Sequence, residues 1–151
     1  MIFKRLFFIL MCVNVSFAGI SSSDIERINQ DIFTATEDNY KNLKIYFSDD
    51  AWPNFSKALK DSGNLAFLKE NNINTIVSYL GLEQLTYQDD QYIAVSKVMV
   101  TNHNDQNYQT NEYEVRMIFV DQNRFYKIDS LQIKHLSEPI SGRMMPDCAL
   151  K

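Results

Sequence analysis

The spacing of apolar residues changes once along this chain, near Ile73. Before that point they recur every three or four residues, as on one face of a helix. After it they alternate, as on one face of a strand. The strand-like segments are joined by short polar turns, which force neighbours to run antiparallel. An antiparallel sheet with one apolar face needs helices to cover it. The order therefore predicts an α+β fold, with amphipathic N-terminal helices packed on a curved four-stranded antiparallel sheet. No repeat, linker or second domain is visible.

In the helical part, Ser21, Ser22, Ser23 and Asp24 offer oxygens that can cap a helix start. Ile25, Ile28, Ile32 and Ala35 form a stripe, continued by Leu43 and by Tyr46 or Phe47. This predicts one helix of about 24 residues, weakened at Asn39. Ser48, Asp49 and Asp50 form the next cap cluster, and Pro53 fits the first turn that follows. Trp52, Phe55, Ala58 and Leu59 then share a face, and Gly63 suits the left-handed position that ends a helix. A third short helix is predicted over 64–70. The long helix and the Trp52 helix are the expected cover for the sheet.

Strands are predicted over 73–88, 92–101, 112–120 and 125–136. Gly81 reads as a bulge or bend. In the last strand the apolar phase slips near Asp129 and Ser130, which predicts a second bulge. Asp89 and Asp90 lie in one turn, residues 102–107 form a polar loop, and 121–123 form another turn. From Ser137 onward, Pro139, Gly142 and Pro146 predict an unstructured tail over 138–151.

The N-terminus addresses the compartment. Lys4 and Arg5 precede an apolar run over 6–15, and Ser16 and Ala18 place small residues before Gly19. That is the layout of a signal peptide over 1–18, cut between Ala18 and Gly19. The run is shorter than the roughly twenty residues of a membrane-spanning helix. Lipidation at Cys12 is the rival reading, but the preceding Met11 is not small. The remaining domain, 19–137 with its tail, is predicted to be periplasmic, or alternatively secreted. It has no integral membrane span. Loss of Lys4 and Arg5 moves the formal charge from −4 to −6. An acidic chain without clustered cations argues against nucleic acid as a partner. Only Cys148 remains, so an internal disulfide is excluded and the core must supply stability.

Chemical motifs are sparse. His103 and His135 are the only histidines, and neither has ligand-type neighbours at metal spacing beyond Asp105. Both read as surface histidines. The pairs Asp49, Asp50 and Asp89, Asp90 read as solvated turn residues rather than acid–base pairs. The stretch Asn102, His103, Asn104, Asp105 lacks a calcium-loop ligand set. No phosphate loop, nucleophile elbow or zinc-protease motif is present. Asp129 is the one candidate for an inward carboxylate that an apolar pocket would turn into a base. The competing reading is that it marks the bulge. No catalytic residue, cofactor or metal is predicted.

The segment YFSDDAWPNFSKALKDSGNL, 46–65, resembles the IcmL/DotI family of type IVB secretion systems, which is related to the TraM protein of IncI-type conjugation. The resemblance rests on Tyr46, Phe47, Trp52, Asn54, Phe55, Ala58, Leu59, Ser62, Gly63, Asn64 and Leu65, and extends more loosely over 24–136. It implies a roll like that of nuclear-transport-factor-2-like domains and type IVA assembly factors. In such a roll Trp52, Phe55 and Leu59 would fill the mouth of the curved sheet. Full-length family members carry a cytoplasmic segment and a transmembrane anchor, where this chain has a leader. The resemblance thus implies a free, non-enzymatic periplasmic protein of a secretion or conjugation apparatus, an accessory or a paralogue. It would act through contacts with other apparatus proteins or with its own copies, at a sheet edge or the outer face around Ile118. Two alternatives are a cavity-type ligand-binding protein or enzyme on the same roll, and a secreted effector.

Overall fold

Ser21 starts the first helix with a reciprocal cap: its hydroxyl accepts the Asp24 N–H at 3.2 Å, and the Asp24 carboxylate accepts the Ser21 N–H at 2.9 Å. That backbone hydrogen bond is the main cause holding the Asp24 carboxyl below its ordinary range. The computed structural model describes residues 19–144, so the leader, its cleavage after Ala18, and Cys148 lie outside the described residues. Helix α1, Ser22–Thr34, buries Ile25, Ile28, Asn29 and Ile32 against the first two strands of the sheet.

The predicted single helix ends here. Ala35 turns extended with ψ 141°, and the Thr36 N–H is taken by Asn39 Oδ1 at 2.7 Å. A separate 3₁₀ helix, Tyr40–Tyr46, then brings Leu43 into the core. Helices α2, Trp52–Asp61, and α3, Asn64–Glu70, follow. Gly63 joins them at φ +69°, in the left-handed region where a Cβ is strained.

Four strands form an antiparallel meander: β1, Asn74–Gln88; β2, Gln91–His103; β3, Asn107–Gln122; β4, Phe125–His135. Two tight hairpins have left-handed residues at both central positions, Asp89 with Asp90 and Asn123 with Arg124. That pattern matches the right-handed twist of the paired strands. The second turn is thus centred slightly later than predicted. Both expected bulges are present. The β1–β2 register slips on either side of Gly81 and Leu82, and Asp129 is the extra residue where Ile118 and Phe119 pair with Ser130 and Ile128.

The tail differs from expectation. Strand β5, Ile140–Arg143, pairs with Asn107, Tyr108, Gln109 and Thr110 of β3. It continues the line of β4 along the same edge, making a fifth strand. A Cβ at Gly142 would come within 2.7 Å of the end of the Tyr108 ring, so a larger residue there needs that ring to swing aside.

The sheet curls into a half-barrel whose concave face carries Val98, Val115, Met117, Phe119 and Ile128, all essentially inaccessible to solvent. The cover is α1 with Leu43 and Phe47. Helix α2 adds Trp52, Phe55 and Leu59, half-buried against the edge of that core, and buries none of its residues fully.

Candidate functional site

The motif residues 46–65 build a joint along the β4 side of the sheet. Phe47 bridges Ile128 in parallel, and the Ser48 N–H donates to the Ile128 carbonyl at 2.9 Å. The buried Ser48 hydroxyl donates to Asp129 at 3.0 Å and accepts the Ala51 N–H at 3.1 Å. Ser48, rather than Asp49 or Asp50, is therefore the side chain that starts the turn into α2. Phe47 is buried and stacks on Phe55 at 4.3 Å, with Trp52 tilted at 5.7 Å. Trp52, Phe55 and Leu59 are half-buried against the core rim, whereas Asn54 and Ala58 face solvent. Tyr46 donates its hydroxyl to the Asp31 carboxylate, and burial together with that carboxylate raises the Tyr46 pKa. Ser62 accepts the Asn64 N–H at 3.2 Å across exposed Gly63, and Leu65 is buried in α3. The Trp52 group thus packs half-buried against the core from the β4 edge of the half-barrel.

Asp129 is exposed and held by Ser48, so no inward carboxylate arises from the bulge. His135 bonds Asn111 at 2.9 Å and packs on Tyr113, whose ring stacks on Phe33. Among the described residues no group of three or more His, Cys, Asp or Glu side chains is placed to hold a metal ion. Ile118 lies half-buried on the convex face, paired with Ile93 and Ser130.

Beyond Val100 the lining of the curled sheet turns polar. The inner positions become Asn111, which is still buried, then Asn102 and Gln109. A cleft of about 560 Å³ opens here. Phe67 and Leu68 of α3 and Ile73 form one wall; Asn102 and Gln109 lie on the inner face of the sheet between, with the strand ends at His103 and Tyr108 beside them; Ser141, Gly142 and Arg143 of β5 form the far wall. Sequence reasoning found His103 but placed it in an open loop. The rest was missed because β5, which makes the far wall, was read as unstructured.

No family model and no curated protein matches the sequence. Two solved structures share its architecture. One is an IcmL-like type IV secretion system protein from Legionella pneumophila subsp. pneumophila str. Philadelphia 1, with TM-score 0.63 and 22% identity over 82% of this chain and 99% of that one. The other is the periplasmic domain of DotI, with TM-score 0.61 and 17% identity over 78% of this chain and 97% of that one. The resemblance drawn from residues 46–65 therefore holds at the level of architecture: this chain has the α+β roll of the IcmL-like and DotI periplasmic structures.

Proposed function

We propose that this chain is an exported, non-enzymatic protein of a type IVB-like secretion or conjugation apparatus. It acts in the periplasm through contacts with other apparatus proteins or with its own copies. The observation that carries this reading is the correspondence of the roll to nearly the full length of both solved secretion-protein chains. The leader layout supports export, with Gly19 as the first residue of the mature chain. No helix among the described residues is long and apolar enough to cross a membrane. The test is capture of apparatus proteins from envelope extracts by the tagged chain expressed with its leader, with N-terminal sequencing of the captured protein. Recovery of secretion proteins and a mature Gly19 start is expected. Capture of none, with secretion unchanged when the gene is deleted, would overturn the proposal. Accumulation in culture medium would point to an exported effector instead.

A cavity-type binding protein is the second reading, favoured specifically by the cleft beside His103.

A further inference from the structure

The cleft has a chemistry that the secretion reading does not use. Its volume of about 560 Å³ falls in the range of small-ligand sites. The chain is acidic overall, yet no carboxylate lines the cleft and Arg143 does. Among the described residues Arg143 makes no ion pair. A guanidinium presents a fork of donors that matches a carboxylate. Across from it Phe67 is 55% exposed, an aromatic surface left uncovered beside half-buried Leu68. Asn102 keeps its amide donors, since only its Oδ1 is engaged, by the Thr75 hydroxyl at 2.8 Å. Cation, apolar wall and amide group thus line one cleft.

We propose that this cleft binds the C-terminal end of a partner polypeptide that finishes in an apolar residue. A chain terminus carries its carboxylate and its last side chain on the same carbon, which is the pairing that Arg143 and Phe67 require. The penultimate peptide groups then meet the Asn102 amide. Capture of a chain end by fixed donors is a recurring mode of peptide recognition. The site is independent of export and of the identity of any apparatus.

The test uses the chain from Gly19 to Lys151 and the probe peptide acetyl-Ala-Ala-Leu, as the free acid and as the C-terminal amide, by titration calorimetry. The acid is expected to bind about tenfold or more tightly than the amide, the value of one charge-assisted contact. Arg143→Gln abolishes that preference, and Phe67→Ala weakens both probes. Both side chains are exposed, so circular dichroism should show an unchanged fold. Equal binding of acid and amide, no binding at millimolar probe, or an undiminished preference in Arg143→Gln overturns the proposal. Equal affinity for N-acetyl-leucine overturns the peptide assignment in favour of a free carboxylic acid. Binding seen only after removal of residues 145–151 overturns it in favour of the chain's own tail.

Discussion

Asn29 is wholly buried on the apolar face of α1, where the stripe calls for a hydrophobe. Its Nδ2 donates to the Ile25 carbonyl at 3.0 Å and to Ser96 Oγ of β2 at 2.9 Å. One polar pair in an apolar layer fixes how far along the sheet the helix sits, because a slip leaves the buried Ser96 hydroxyl without its partner. Asn29→Ala should therefore cost about 2–3 kcal/mol, from an orphaned Ser96 hydroxyl and a gap in the packing. Asn29→Leu combined with Ser96→Ala removes both polar partners and should fall within about 1 kcal/mol of the native chain. Urea denaturation of the single and double variants checks this. A double variant as unstable as Asn29→Ala would mean that the pair is not the source of the cost.

Elements were legible where the chain's own pattern decides them. Asp129 announced its bulge because an extra residue must shift a period of two. Gly63 announced the joint because few residues tolerate its backbone. The break after Thr34 left no such mark. Ile32 and Leu43 lie eleven residues apart, about three helical turns at 3.6 residues each. Both would therefore face the core whether the helix continued or stopped. The deciding contact is the Asn39 side chain taking the Thr36 N–H, which no apolar count records. Strand β5 was hidden for a different reason. Four residues after Pro139 carry no readable alternation, and their pairing comes from β3, which already offers its edge beyond the end of β4. The cleft shared that fate. At the α2–α3 joint the backbone demand is directly testable. Gly63→Ala places a Cβ in a left-handed residue and should cost about 1–2 kcal/mol in urea denaturation. No atom crowds that position, so the cost is one of backbone strain alone. An unchanged midpoint would show that the joint can relax out of φ +69°.

At the scale of the whole molecule, the roll divides into a core and an attached flank. Strands β2 and β3 are paired on both sides and hold the fully buried residues Val98, Val115, Met117 and Phe119. The α2–α3 flank meets that core through half-buried Trp52, Phe55 and Leu59 around Phe47, and its ion pairs lie at the surface, such as Lys69 to Asp38 at 2.9 Å. Exposed ion pairs of that kind contribute roughly 0–1 kcal/mol. Regions with few buried apolar contacts open below the global unfolding energy. The flank should therefore open on its own, at a free energy below that of global unfolding. Trp52 is the only tryptophan in the chain and lies within this flank, so its emission reports that opening separately. In a urea titration the Trp52 signal should change before the far-ultraviolet signal of the sheet. Native-state hydrogen exchange should show Ala58 and Leu59 amides less protected than those of Val98 and Val115. Coincident transitions and uniform protection would mean that the Phe47–Trp52–Phe55 cluster welds the flank to the core. In the proposed contact role, a separately opening flank would let the rim of α3 adjust to a partner while the sheet stays fixed.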